Sequence, residues 1–168
     1  MPDPSPFVER AERDETPVRR AEVSDAATIA ELLHAFNTEF DTETPGVEVL
    51  AKRLRTLLAE PSTFAVLGGD PAGGLALVTL RPNVWSDGPV ALLDEMYVAP
   101  EQRGSGIGSA ILLQMVEICR DLGAAAIEIN VDESDAEAMR FYERHGFSGT
   151  DPDSGERAFY FYRALEAD

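Results

Sequence analysis

The stretch Asp94-Glu95-Met96-Tyr97-Val98-Ala99-Pro100-Glu101-Gln102-Arg103-Gly104-Ser105-Gly106-Ile107-Gly108-Ser109 decides the fold. It reads as a β-strand running into a glycine-rich turn and then into an amphipathic helix. Glycines at 104, 106 and 108 remove side chains where a backbone has to approach a ligand closely. Several N–H groups stay free and point outward at a helix N-terminus, an arrangement that binds phosphate. The turn has no Gly-Lys-Ser/Thr ending, which excludes a P-loop. Its spacing, Arg103-x-x-Gly106-x-Gly108, is also not the Gly-x-Gly-x-x-Gly of a dinucleotide site. Taken alone, such a turn is equally well an ordinary structural one.

Working outward, the strand Val90–Val98 follows two other strand-like runs, Thr63–Leu67 and Leu75–Leu80. Gly68-Gly69-Asp70-Pro71 and Ser86-Asp87-Gly88-Pro89 punctuate them as turns, so the three read as an antiparallel meander. Before them, a short strand near Val18 to Ala21 precedes a helix with Ile29, Leu32, Leu33 and Phe36 at helical spacing. A second helix carries Leu50, Leu54, Leu57 and Leu58 on one face and ends at Pro61. Asn37 to Gly46 reads as the polar loop between them.

After the glycine turn, Ile107, Ile111, Met115, Ile118 and Leu122 line one side of a helix that Gly123 can close. Ala125–Val131 then returns to the sheet through that helix and is parallel to its predecessor. A helix from about Asp135 to His145 and a final aromatic-rich strand, Arg157–Arg163, complete the chain. The order β-α-α-β-β-β-α-β-α-β is a mixed α/β fold, with residues 1–16 as a flexible Pro-rich tail and 17–168 as one domain.

Composition narrows the function. Acidic residues outnumber basic ones 31 to 14, for a formal charge of −17. That argues against nucleic acid or an anionic membrane as a partner and is compatible with a cationic substrate. No apolar run is long enough to span a bilayer, and the N-terminus lacks a basic-then-apolar leader, so a cytoplasmic protein is expected. One cysteine and two histidines make a metal site improbable, and Cys119 falls on an apolar helix stripe as a core thiol.

The pattern Arg/Gln-x-x-Gly-x-Gly/Ala after a strand ending in Val-x-Pro resembles the acyl-CoA site of GNAT-type N-acetyltransferases. A second segment agrees: Ala138-Met139-Arg140-Phe141-Tyr142-Glu143-Arg144-His145-Gly146-Phe147 is similar to that family's C-terminal helix and following strand. One helix and one strand separate the two segments, as the family requires.

The resemblance implies a GNAT-like sheet with helices on both faces and acetyl-CoA as cosubstrate. It places the backbone of Met96, Tyr97 and Val98 against the pantetheine arm, where this strand splays from its parallel neighbour. Arg103, Gly104, Ser105, Gly106, Ile107, Gly108 and Ser109 would supply N–H groups to the pyrophosphate. Tyr142 would protonate the leaving thiolate. Asp135 stands where many family members have a cofactor-bonding Asn; a carboxylate accepts but cannot donate as Asn does, so capping the helix is its alternative role. Asp94 or Glu95 would be the general base. Strict alternation separates the two onto opposite faces, and a bulge would break that count. Asn37, Glu39, Phe40 and Asp41 lie where the family holds its acceptor, and Asn83 and Trp85 are weaker candidates for the pocket's edge.

The implied activity is direct acetyl transfer to a primary amine, of a small molecule or alternatively of a peptide. A non-catalytic acyl-CoA sensor on the same fold is the reading from a different class. The resemblance also extends to pairing into a homodimer, with the C-terminal strand as the candidate element.

Overall fold

The computed structural model describes residues 16–165; the N-terminal tail expected over residues 1–16 lies almost wholly outside them. Five strands form one sheet in sequence order: β1 (Val18–Arg20), β2 (Thr63–Gly69), β3 (Ala72–Arg81), β4 (Val90–Val98) and β5 (Ala126–Ile129). The first four are antiparallel neighbours, and β4 and β5 are parallel, joined through a helix as their order requires. Four helices accompany them: α1 (Ala26–Glu39), α2 (Val47–Ala59), α3 (Ile107–Asp121) and α4 (Ala136–Arg144).

Strands β2 and β3 are buried on both faces, so they read as apolar runs rather than alternating ones. Their two sets of side chains feed two cores. Val66, Ala76 and Val78 pack with Ile111, Leu112 and Met115 of α3. Ala65, Leu67, Leu75 and Leu77 pack with Ile29 and Ala30 of α1 and Ala51 and Leu54 of α2. Helix α4 lies on the α3 side, where Phe141 and Tyr142 pack against the first cluster. Cys119 is buried there too, and burial pushes its thiol up to about 11.

The expected last strand is not formed. Residues 157–165 are irregular and exposed throughout, with Phe161 at 91%. The aromatic alternation is there, but no sheet edge within the chain receives it; the sheet ends at β5. The loop read from Asn37 is also shorter than expected, because α1 continues through Glu39 before Phe40 caps it.

The ends of β4 and β5 are aligned by a close backbone approach. Ala125 N–H donates to the Pro89 carbonyl at 2.8 Å, and Gly88 sits directly against the Gly123 carbonyl. A Cβ at position 88 would collide with that carbonyl, and neither backbone can yield without displacing the start of β5. Gly88→Ala should therefore lower stability by about 1–3 kcal/mol, read as a reduced midpoint in urea or thermal unfolding. An unchanged midpoint would mean that the two loops separate freely.

Candidate active site

The register between β3 and β4 slips by one residue. Leu77 pairs with Glu95, but Val78 pairs with Leu93, which leaves Asp94 as an extra residue on β4. This β-bulge resets the strand's alternation. Before it, Ala91 and Leu93 face the α3 core. After it, Glu95 lies opposite Leu77 and Tyr97 opposite Leu75, both on the α1–α2 face. Tyr97 accordingly stacks on Phe36 of α1, with ring centroids 5.1 Å apart. Asp94 turns to the same face, where its Oδ2 accepts from the Thr79 hydroxyl at 2.5 Å. Both candidate bases thus share one side of the sheet, where strict alternation separates them.

Their environments differ. Burial raises the pKa of both carboxyls, opposed at Asp94 by the Thr79 hydrogen bond. At Glu95 burial acts together with repulsion from the Asp94 charge. Glu95 therefore has no hydrogen bond opposing its raised pKa, whereas Asp94 does.

Strand β5 pairs with β4 only as far as Leu93–Ile129. Beyond the bulge, the edge of β4 facing away from β3 has no strand beside it. Ala99 N–H bonds to the Gly73 carbonyl on the β3 side at 2.8 Å. By alternation, the backbone groups of Val98 and Met96 point to the open side. The Val98 carbonyl accepts there from Arg103 Nε at 2.9 Å.

The glycine turn follows as expected. Gly104 and Gly106 have φ of 74° and 89°, the left-handed region where glycine costs least. Gly106 is the N-cap of α3 and offers no side chain to the helix's first N–H groups. A Cβ on Gly108 would meet Phe141 and Val98 at 3.7 Å, so the turn sits beside both α4 and the end of β4. His145 fastens this junction: its Nε2 lies 3.0 Å from Ser109 Oγ and its Nδ1 2.7 Å from the Phe141 carbonyl. With Nδ1–H donating to that carbonyl, Nε2 accepts from the serine. The Ser109 partner had no signal in the sequence; His145 was visible only as one more residue on the face of α4 that carries Phe141 and Tyr142.

Tyr142 packs against the α3-side cluster, across the sheet from Glu95. Burial, with the Asp135 charge, pushes its phenol up to about 12. Asp135 itself is the N-cap of α4, accepting from Ala138 N–H at 2.9 Å, so one of its oxygens is committed to the helix.

Glu39, at the end of α1, is already engaged: Arg103 Nη2 lies 2.8 Å from its Oε2 and holds its carboxyl below the usual range. The same guanidinium lies 5.7 Å from the Tyr97 ring centroid. Asn37 Nδ2 donates to the Glu43 carbonyl at 3.0 Å and braces the loop. Phe40 is 60% exposed and meets Phe36 edge-on. Asp41 is exposed, with a φ of 51°. Asn83 organises the β3–β4 turn through Ser86 and Gly88, and Trp85 is exposed there. Both stand at the far end of β4 from the open edge, away from the cleft.

The comparisons with known proteins fit this geometry. The sequence model of the acetyltransferase (GNAT) family matches residues 26–147. A crystal structure of a candidate acetyltransferase from Arthrobacter sp. FB24 superposes with a TM-score of 0.83 at 48% identity, over 97% of this chain and 100% of that one. Aminoglycoside N(6')-acetyltransferase type 1 of Stenotrophomonas maltophilia is 31% identical over 89% of this chain and 94% of its own. Mycothiol acetyltransferase of Pseudarthrobacter chlorophenolicus is 31% identical over 62% of this chain, and the match spans only 33% of that longer protein. The family match runs from the start of α1 to just past α4 and includes the bulge, the glycine turn and Tyr142. The chain belongs to the acetyltransferase (GNAT) family.

Proposed function

We propose that the protein is an N-acetyltransferase that moves an acetyl group directly from acetyl-CoA to a primary amine, with a cationic small molecule as acceptor. One observation carries this reading. The bulged, open edge of β4 has a raised-pKa carboxylate on one face of the sheet and a protonated phenol on the other. A thioester lying along that edge would have a base on the acceptor side and an acid on the sulfur side.

The residues fit such a ligand. The outward backbone groups of Met96 and Val98 extend the sheet to a pantetheine arm, and the uncapped start of α3 accepts a diphosphate. When bound, acetyl-CoA supplies an activated acyl carbon. Glu95, directly or through a water, takes the proton of the incoming ammonium group and leaves a neutral amine to attack. Val98 N–H donates to the acyl oxygen as negative charge develops there. Tyr142 donates its proton toward the departing sulfur.

Burial acts on both partners of this last step. It keeps the Tyr142 phenol neutral up to about 12, and a thiolate leaving into a dry site is disfavoured in the same way, so its protonation is favoured.

Acceptor choice rests on charge. The chain carries −17, and Glu39, Asp41 and Glu43 cluster between α1 and α2. For Glu39 to receive an ammonium group, Arg103 has to leave it, and an arriving diphosphate is the natural competitor for that guanidinium. We assign the reaction to the cytoplasm, where acetyl-CoA is made, and the working form to a homodimer, because residues 120–165 bury no side chain on their own.

Three measurements test the reading. Turnover against a panel of amines should show acetylation, with Tyr142→Phe lowering kcat by about 10²-fold or more and leaving the KM for acetyl-CoA nearly unchanged. Tight CoA binding without turnover on any amine would mark a sensor instead.

Glu95→Gln should cost about as much in kcat/KM and remove the acid limb of the pH–rate profile. The folded pKa of Glu95 is raised, so its contribution to stability is full at low pH and is lost as pH rises through that value. Glu95→Gln should therefore melt above the wild type at pH 7 but not at pH 4. A mutant less stable at both would contradict the burial argument.

Glu39→Gln frees Arg103 and should tighten CoA by about two- to five-fold, the scale of an exposed ion pair. By calorimetry, pantetheine, which has no diphosphate, should bind both forms equally.

A further inference from the structure

Among the described residues, a single side-chain hydrogen bond ties α4 and its caps to another element of the fold. It joins His145, the C-cap, to Ser109 in the first turn of α3. The direction of that bond is fixed. His145 Nδ1 lies 2.7 Å from the Phe141 carbonyl, which can only accept, so Nδ1 carries a hydrogen. In a neutral imidazole Nε2 then has none, and its 3.0 Å contact with Ser109 Oγ uses the serine's own hydrogen. The hydroxyl is spent on the ring, and its oxygen presents only lone pairs to anything else.

That direction is wrong for an anion. The first backbone bond of α3 runs from Ala110 N–H to the Gly106 carbonyl. The N–H groups of Ile107, Gly108 and Ser109 precede it and are left for the diphosphate of the proposed cosubstrate. A diphosphate oxygen accepts and cannot donate. Beside those N–H groups it meets an Oγ whose hydrogen points elsewhere. One proton resolves the conflict. Protonated at Nε2, the ring donates through both nitrogens, to the Phe141 carbonyl and to Ser109 Oγ, and the Ser109 O–H is released to the diphosphate.

The surroundings make this charge conditional on the ligand. His145 sits at the negative end of α4, which favours an imidazolium, and the Phe141 ring lies 4.6 Å from its own. Glu143 and Arg144 flank it in the chain, both exposed, with Arg144 6.0 Å from the same Phe141 ring. Against it stands the positive end of α3, whose first turn has no acidic residue. At the end of β4, Arg103 is paired with Glu39. Among the described residues no carboxylate comes within ion-pair distance of the His145 ring. The compensating negative charge has to arrive with the ligand.

We propose that His145 takes up a proton from solvent when the diphosphate binds, and is thereby the positioning residue that locks α4, and Tyr142 with it, onto the occupied phosphate site. A neutral hydrogen bond becomes a charge-assisted one at the polar tie between the two helices. The inference deepens the acetyltransferase reading and rests on its placing the diphosphate at the start of α3.

The test uses the full chain and dephospho-CoA, whose diphosphate has no group titrating near neutral pH. Calorimetry at pH 7.5 in buffers of different ionisation enthalpy should show uptake approaching about one proton per ligand bound. Ser109→Ala should bind with no uptake, and so should His145→Asn, which keeps a donor for the Phe141 carbonyl. Pantetheine, without a diphosphate, should bind the wild type with no uptake. From pH 6.5 to pH 8 the wild-type affinity for dephospho-CoA should fall by about five- to ten-fold, and that of His145→Asn should stay level. The chain has two histidines, so His34→Gln assigns their ring signals by NMR. Dephospho-CoA at pH 7.5 should move the His145 signal toward the imidazolium position and leave that of His34, at Thr44, in place. Amide exchange in α4 should slow on binding, and less so in His145→Asn; equal slowing in both would overturn the lock. Binding without proton uptake, or with uptake that survives either substitution, would overturn the inference and leave the acetyltransferase reading standing. Failure of both dephospho-CoA and CoA to bind the wild type would overturn the two together. The wild-type calorimetry and ring signals decide the matter even where a variant fails to fold.

Discussion

One extra residue in β4 governs the site. Had β4 kept a strict two-residue period, Glu95 and Tyr97 would follow Ala91 and Leu93 into the α3 core. A carboxylate among Ile111, Leu112 and Met115 would cost several kcal/mol in desolvation with no partner to offset it. The bulge at Asp94 moves Glu95 to the opposite face, where it stays partly accessible, and brings Asp94 to Thr79 on that same face. The sheet changes at the same point. The last β4–β5 pair is Leu93–Ile129, directly before the bulge, and the free edge begins just after it. A bulge strengthens local twist and interrupts a ladder, so the position of the proposed base and the opening of the cleft have one physical origin.

This origin also explains what the sequence could and could not disclose. The helices and the meander were legible because their apolar residues repeat at 3.6 or run continuously between glycine and proline turns. The glycine turn was legible because positive φ at 104 and 106 leaves little choice of residue. The bulge was not. Leu-Leu-Asp-Glu-Met-Tyr is equally consistent with unbroken alternation, and only the partner register of Leu77 and Val78 reveals the slip. Glu39 was read as an acceptor contact on its charge, yet Arg103, distant in sequence, holds it at 2.8 Å; no local pattern announces such a pair. Arg157–Arg163 was read as a strand from its aromatics, yet the segment is irregular and exposed. Its residues carry β-propensity, but propensity alone names no sheet edge to pair with.

Arg103 links parts of the site that are usually discussed apart. It opens the glycine turn, donates to the Val98 carbonyl, lies over Tyr97 and neutralises Glu39. The end of α1, the open edge of β4 and the start of α3 thus share one guanidinium. In a protein of −17 a single cation in this position has a disproportionate effect. With Arg103 in place, the α1–α2 loop is partly neutralised; with Arg103 drawn to a phosphate, Glu39 joins Asp41 and Glu43 as uncompensated charge. On the proposed reading, a diphosphate that drew Arg103 away would leave Glu39 free for a cationic acceptor.

The acid and the base meet opposite demands from burial. In the proposed reaction Glu95 accepts a proton, and burial beside Asp94 raises its affinity for one. In the proposed reaction Tyr142 keeps its proton until the sulfur departs, and burial near Asp135 keeps the phenol neutral up to about 12. In each case low polarity disfavours the charged form of the isolated side chain, and the transfer is favourable only when ligand groups bring charge of their own into the gap. Tyr142 acquires this environment from a helix that buries none of its residues fully. In the proposed reaction a ligand lying against α4 would exclude water there, raise the phenol's pKa further and strengthen every dipole directed at the sulfur.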